Sequence, residues 1–183
     1  MQQYTNIPYE IFTIDNLYTD KEINYFIDYI ETHEGCPFTF SEFKNGKIIE
    51  PEISTLMYSK IKPYLSDTYK DHFNNSYIYK KTPKHIMYAK VNSNQQFGIH
   101  TDTSSVYSHI DNEYSKFTVL TYLNDNYEGG NTQFYSDNLL KTVTIHPKKN
   151  TTLIFDIDLF HSGEIVTKGT KYWIGTELVC SKI

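Results

Sequence analysis

The spacing of hydrophobic residues changes along the chain near residue 76. Before that point, apolar positions recur at helical intervals. Thr19 and Glu22 have the spacing of a capping box. The apolar residues that follow are three or four apart: Ile23, Phe26, Ile27 and Ile30. The pattern predicts a first helix that ends near Gly35, a residue type common at helix C-termini.

A second helix is predicted to begin at Pro51, since proline is tolerated in the first turn of a helix. Its apolar face consists of Ile53, Leu56, Met57 and Ile61. We therefore expect residues 1–75 to be mainly helical and to support the rest of the fold.

Beyond residue 76, short runs rich in Tyr, Val, Ile and Thr alternate with turn residues, which is typical of β-strands. Eight strands are predicted, at residues 77–81, 85–91, 97–101, 117–123, 132–135, 142–146, 151–157 and 172–179. Because the helices precede the strands, the pattern favours an α+β fold over a doubly wound sheet. We expect one domain over residues 1–183, with a β-sandwich or barrel at 76–183 and the helices packed on one sheet.

Composition limits the partners. The 17 basic residues are all Lys, and 22 acidic residues give a net charge of −5. This balance argues against nucleic-acid binding. No apolar run approaches the ~18 residues of a membrane helix. No signal peptide is visible at the N-terminus. Two cysteines, Cys36 and Cys180, are too few for a disulfide framework. We expect a cytoplasmic protein without a membrane partner, and the oligomeric state is left open.

Two histidines and one aspartate stand at predicted strand ends. His100 and Asp102 are separated by one residue and so share one face of an extended chain, while His161 follows the apolar run 153–160. Converging from neighbouring strands, they would form the facial triad of non-haem Fe(II) sites; His-x-Asp alone also fits a surface turn. Surface or structural positions are expected for the other histidines: His33, His72, His85, His109 and His146.

A lysine also stands directly before a predicted strand. Lys171 precedes the apolar run that begins at Tyr172, and a buried lysine is costly unless it is paired. The carboxylate of an oxoacid would be a suitable partner. An equally good interpretation is that Lys171 lies on an edge strand and prevents aggregation there.

Several segments resemble, in the same order, those of the 2-oxoglutarate/Fe(II)-dependent dioxygenases, and within them the prolyl 4-hydroxylase-like branch. Residues 96–102 resemble the first metal-binding block of the family, and residues 160–166 followed by 169–171 resemble its last block. The remaining matching blocks are residues 12–17, 117–124, 128–134, 145–148 and 152–155. The resemblance implies a double-stranded β-helix, a jelly roll with iron between its sheets.

The resemblance also implies roles for particular residues. His100, Asp102 and His161 would bind Fe(II), and Lys171 would pair with the distal carboxylate of 2-oxoglutarate. Tyr88 and Thr118 match family positions that help to bind this carboxylate. Gly175 and Glu177 depart from the family pattern, which has an Arg and, in some hydroxylases, a substrate-binding aromatic residue in this neighbourhood.

The expected activity is hydroxylation of a prolyl residue in a protein or peptide. The enzyme would bind Fe(II), consume 2-oxoglutarate and O2, and release succinate and CO2 as co-products. L-ascorbate would serve as the reductant. The alternatives are the same chemistry on a lysyl residue, a small molecule or nucleic acid, the last disfavoured by charge. A non-catalytic barrel is a further alternative, which would typically have lost an iron ligand or the lysine.

Overall fold

The computed structural model of the protein describes residues 1–4, 10–37, 43–71, 73–108 and 110–183. Within these residues the chain forms two α-helices and sixteen strands. In chain order they are β1 (Gln2–Tyr4), β2 (Ile11–Asp15), α1 (Asp20–Thr32), β3 (Lys44–Ile49), α2 (Pro51–Ile61), β4 (Tyr69–Lys70), β5 (Ser76–Lys81), β6 (His85–Asn92), β7 (Phe97–His100), β8 (Tyr107–Ser108), β9 (Glu113–Tyr122), β10 (Glu128–Gly129), β11 (Thr132–Tyr135), β12 (Lys141–Ile145), β13 (Thr151–Asp156), β14 (His161–Gly163), β15 (Val166–Lys168) and β16 (Thr170–Lys182). A 3₁₀ turn, Lys62–Tyr64, follows α2.

Both predicted helices are confirmed. The backbone N–H of Glu22 donates to Thr19 Oγ1 at 3.2 Å, and the N–H of Thr19 donates to Glu22 Oε2 at 2.7 Å, so the capping box forms. The predicted end of α1 at Gly35 is wrong, because the C-cap is His33. The N–H of His33 donates to the Tyr29 carbonyl at 3.0 Å, and its imidazole stacks on the Tyr29 ring.

The main sheet is built around the long strand β16. Along one side β16 pairs with β9, and β13, β2 and β1 continue the sheet beyond β9. Along the other side the first half of β16 pairs with β6 and its second half pairs with β5. β3 adds to β6, β4 to β5, and β8 to β9.

A small sheet in the order β12-β11-β14-β7 lies against the main sheet, and β10 and β15 form a separate two-stranded sheet. All pairings are antiparallel. Two facing sheets of this kind, with helices outside, form the jelly-roll architecture. The predicted fold class, α+β with a double-stranded β-helix core, is confirmed.

Two hydrophobic cores follow from strand alternation. Ile154 and Ile174 point from the main sheet toward the helices and pack with Phe26 and Met57. Their neighbours along the strands point the other way, into a second core between the two sheets: Ala89, Val91, Leu153, Phe155 and Trp173 pack there with Phe134 and Ile145. The side of the main sheet that faces the small sheet is called the inner face below. Fully burying one such side chain contributes about 1.5–3 kcal/mol.

All eight predicted strands occur, and six of them lie within one residue of their predicted limits. The strand β16 begins two residues earlier and ends three residues later than predicted, and β9 begins four residues earlier. The helical interpretation of residues 1–75 was incomplete, because β2 pairs with β13 inside the main sheet. No element was predicted between the two helices or between the strands at 97–101 and 117–123, but β3 lies in the first of these stretches, and β8 and the start of β9 lie in the second. Asn45 and Gly46 give β3 a turn-like sequence, but pairing with β6 holds it extended. Among the described residues no helix is long and apolar enough to cross a membrane.

Candidate active site

His100 and His161 face each other across two paired strands of the small sheet. His100 ends β7, His161 begins β14, and the two residues are direct partners in the antiparallel register. Their ring centroids are 4.3 Å apart. The Nδ1 atom of each ring lies close to a backbone carbonyl, Gly98 at 2.8 Å for His100 and Leu159 at 3.0 Å for His161. With Nδ1–H donating there, both Nε2 atoms are left with a free lone pair.

Asp102 completes the group from the irregular segment after β7. Its carboxylate oxygens lie 3.6 Å from His100 Nε2 and 3.7 Å from His161 Nε2. One ligand atom from each of the three residues can be chosen so that all lie within 4.8 Å of one another. Two imidazoles and one carboxylate on one side of a site leave further coordination positions open.

Burial and charge set the protonation of this group. Burial raises the pKa of Asp102, but the hydrogen bond from His100 and the nearby His161 ring lower it more, so the pKa lies below its usual range. Burial lowers the pKa of His161, which favours a neutral ring. Burial also acts to lower the pKa of His100, but Asp102 and the Gly98 carbonyl outweigh it and raise the pKa. An ionised carboxylate and a neutral imidazole are the metal-binding forms of these groups.

Thr118 contributes to the site in a different way from the prediction. Its hydroxyl donates to Asp102 Oδ2 at 2.5 Å, which fixes the orientation of the carboxylate. Thr118 is the β9 partner of Glu177, six residues along β16 from Lys171, or ~20 Å at the rise of a strand. The two side chains therefore cannot hold the same carboxylate, and the structure contradicts the predicted pairing of Thr118 with Lys171.

Lys171 lies on the inner face of β16 and is only 5% exposed. Its ammonium donates to the Gly130 carbonyl at 2.6 Å, and it stands 5.1 Å from the centre of the Tyr122 ring. In the part of the chain that the structure describes, no carboxylate forms an ion pair with it. Burial lowers the pKa of Lys171 to about 7, although Glu164 acts in the opposite direction. A buried cation without a counter-charge is a suitable anchor for an anion.

The sequence interpretation missed the tyrosines that surround this lysine. The hydroxyl of Tyr122 is 2.6 Å from Thr132 Oγ1. The ring of Tyr127 and the side chain of Lys171 both lie within 3.3 Å of where a Cβ on Gly130 would stand. The hydroxyl of Tyr127 is buried and has no hydrogen-bond partner among the described residues. One sequence signal exists for Tyr122: it lies four residues after Thr118 and so shares one face of β9, but that face is known to be the inner one only once the strand pairing is known.

Tyr88 does not reach the site. It belongs to the core beside the helices, on the face of β6 opposite Ala89 and Val91. Its hydroxyl accepts the N–H of Gly35 at 2.6 Å and donates to the His33 carbonyl at 3.2 Å. Because successive strand residues point to opposite faces, Tyr88 cannot contact Lys171. The prediction for Tyr88 as a co-substrate ligand is therefore wrong.

The other histidines lie apart from this group. His33 stacks on Tyr29, His146 is exposed and contacts Asn131, and His85 is buried beside Glu177. His72 and His109 lie outside the described residues. The described part of the chain contains one cluster of at least three residues that could hold a metal ion, and it consists of His100, Asp102 and His161.

The nitrogen and oxygen donors fit Fe(II), and the buried lysine with its orphaned tyrosine hydroxyl fits a small dicarboxylate. A jelly roll with such a site between its sheets is the arrangement of a metal-dependent oxygenase. Residues 86–176, about half of the chain, match the family model of the 2OG-Fe(II) oxygenase superfamily. The chain belongs to this superfamily. No curated protein matches the chain in sequence.

Solved structures show the same fold. The viral collagen prolyl hydroxylase of Paramecium Bursaria Chlorella virus-1, as its 2OG complex, has a TM-score of 0.61 and 18% identity, over 93% of this chain and 95% of that chain. The Trichoplax adhaerens prolyl hydroxylase, in complex with a hypoxia inducible factor peptide fragment, has a TM-score of 0.64 and 17% identity, over 92% and 82%. A Pseudomonas putida prolyl-4-hydroxylase has a TM-score of 0.58 and 9% identity, over 92% and 91%.

Proposed function

We propose that the protein is an Fe(II)- and 2-oxoglutarate-dependent dioxygenase that hydroxylates a prolyl residue of a protein or peptide. The observation that carries the proposal is the cluster of two imidazoles and one carboxylate, within 4.8 Å, between the two sheets. The superfamily implies Fe(II), 2-oxoglutarate and O2.

In this proposal His100 and His161 bind Fe(II) through Nε2, and Asp102 binds through one carboxylate oxygen. Thr118 orients Asp102 through its 2.5 Å hydrogen bond. The fully buried Phe155 packs against the His161 ring, with the two ring centres 4.7 Å apart. A site built in this way holds its ligands before the metal arrives.

Lys171 is proposed to hold the distal carboxylate of 2-oxoglutarate by a charge-assisted hydrogen bond. The chain has no arginine, so a lysine ammonium must supply this charge. The rings of Tyr122 and Tyr127 lie beside the Lys171 side chain, and their hydroxyls can donate to a carboxylate oxygen. The metal and its co-substrates, when bound, supply the oxidation that places a hydroxyl group on a C–H carbon while 2-oxoglutarate yields succinate and CO2.

The prolyl substrate is supported by the shared fold of the neighbours, two of which are named as prolyl hydroxylases of collagen or of a hypoxia inducible factor peptide. His100 leaves 40% of its side chain exposed, so the metal position is open to a ligand from solvent. An exposed metal face between two sheets suits a peptide better than a fully enclosed small molecule.

A substrate screen tests the proposal. Purified protein, Fe(II), 2-oxoglutarate and ascorbate are incubated with proline-, lysine- and asparagine-containing peptides. Mass spectrometry then locates added oxygen, and succinate is measured in parallel. We expect oxygen on a prolyl residue, no product with His100→Ala, and normal product with His146→Ala, an exposed histidine outside the cluster.

Each part of the proposal can fail separately. Succinate without a modified prolyl residue would reject the prolyl assignment and point to lysyl residues, small molecules or nucleic acid. Full activity of His100→Ala would reject the metal cluster itself.

A further inference from the structure

Glu177 is a buried carboxylate that the proposed reaction does not use. It is 2% exposed and lies on the inner face of β16, directly opposite Thr118 on β9. Directly paired residues of neighbouring strands point to the same face with Cβ atoms about 5 Å apart. The Glu177 side chain therefore stands beside the threonine that orients Asp102.

Both oxygens of the Glu177 carboxylate have polar partners in the protein. Oε2 accepts the backbone N–H of Ser105 at 3.0 Å and the hydroxyl of Ser105 at 2.5 Å. Oε1 lies 3.4 Å from His85 Nε2. Burial raises the pKa of Glu177, but His85, Ser105 and Ser115 lower it more, so the group is ionised. A buried charge with this many donors is held in one position.

Ser105 lies three residues after Asp102, in a segment that no strand holds. Residues 101–106 connect β7 to β8 without regular structure. The N–H of Asp102 donates to the Ile157 carbonyl at 3.1 Å, and Ser105 is bound by Glu177. Beyond it, the N–H of Val106 donates to Ser115 Oγ at 3.1 Å. Glu177 thus anchors the segment between the metal-binding carboxylate and the next strand.

We propose that Glu177 is a positioning residue for the metal centre, which fixes the segment Asp102–Ser105 so that the Asp102 carboxylate meets His100 and His161. The inference rests on the proposed function, because it requires a metal at this cluster. Outer partners of metal ligands usually change affinity by about 10- to 100-fold when they are removed. A carboxylate that merely stabilised the fold would leave metal affinity unchanged in the folded protein.

Two variants test the anchor from its two ends. Glu177→Met keeps the length of the side chain and removes both oxygens, and Ser105→Ala removes one of the two donors. Thr152→Val is the matched control, because it removes a fully buried hydroxyl that pairs with Thr121 Oγ1 at 2.9 Å, away from the segment. Mn(II) affinity is measured by calorimetry on protein shown to be folded by circular dichroism.

We expect Glu177→Met to weaken Mn(II) binding by about 10- to 100-fold, Ser105→Ala by a smaller factor, and Thr152→Val not at all. In metal-free Glu177→Met, the amides of residues 101–106 should exchange about tenfold faster. If Glu177→Met does not fold, Ser105→Ala still decides.

The outcomes separate the inference from the proposed function. His100→Ala is measured beside the other variants. If it loses Mn(II) binding while Glu177→Met and Ser105→Ala bind as tightly as the wild type, the positioning role is overturned and the metal site stands. If Thr152→Val weakens binding equally, the effect is general destabilisation and the inference is also overturned. If His100→Ala binds normally, the metal site itself is rejected.

Discussion

The lowered pKa of Lys171 gives a quantitative prediction for co-substrate binding. Only the charged ammonium can pair with a carboxylate, and burial places the pKa of this group at about 7 in the free protein. About half of the molecules are charged at pH 7, and about 3% at pH 8.5. When binding needs the charged form, the apparent affinity falls with its population, by about 15-fold between these pH values.

Two variants isolate this effect. Lys171→Arg should bind 2-oxoglutarate with little dependence on pH, because a guanidinium stays charged throughout this range. Lys171→Met should bind weakly at both pH values, because it lacks the cation. Any pH dependence that arises at the metal is shared by all three proteins and cancels in the comparison.

The assay is calorimetric titration of 2-oxoglutarate into Mn(II)-loaded protein without O2, at constant ionic strength. If wild-type affinity is the same at pH 7 and pH 8.5 while Lys171→Met is weak, the lysine binds the carboxylate but its pKa is not lowered. Equal affinity of Lys171→Met and the wild type would refute the assignment of Lys171 altogether.

Three further results are expected. Thr118→Val should weaken Mn(II) binding about tenfold, since Asp102 loses a hydrogen bond. The control Thr121→Val, a matched change on the opposite face of β9, should leave Mn(II) affinity unchanged, and calorimetry measures the affinity of both variants. Tyr88→Phe should lower the free energy of unfolding in urea by about 1–3 kcal/mol, since two hydrogen bonds are lost, and unchanged 2-oxoglutarate affinity would agree with its place among the helices. Metal-free protein should gain about 2 kcal/mol of stability between pH 7 and pH 9, because unfolded Lys171 keeps a proton that the folded form has lost; the same gain in Lys171→Met would contradict this.

The metal cluster was accessible to sequence reasoning because its geometry is partly local. His100 and Asp102 must share a face wherever the chain is extended, and only the approach of His161 needed the fold. The register that pairs His161 with His100 is a long-range property of the small sheet. No local signal in the sequence gives this register, and the grouping of His161 with His100 was predicted from the order of the family's sequence blocks.

The errors at Tyr88 and Thr118 have one physical origin. A one-residue change of register moves a side chain to the other face of a sheet, and a few residues along a strand change its position by ~10 Å or more. Tyr88 is one residue from Ala89, which points to the inner face. Identifying a tyrosine or a threonine near the right strand therefore could not establish which end or face of the strand it occupies.

The inner positions of β9 and β16 divide the proposed site into two ends. Thr118 and Glu177 face each other at one end, beside Asp102 and the segment that follows it. Tyr122 and Lys171 meet at the other end, several residues along the same two strands. The main sheet thus holds the proposed metal-binding segment at one end and the proposed carboxylate anchor at the other, while the small sheet supplies both histidines. Since residues this far apart share no partner, their substitutions should act independently. Metal affinity should respond to changes at Thr118 and Glu177, and the pH dependence of 2-oxoglutarate binding should respond to changes at Lys171.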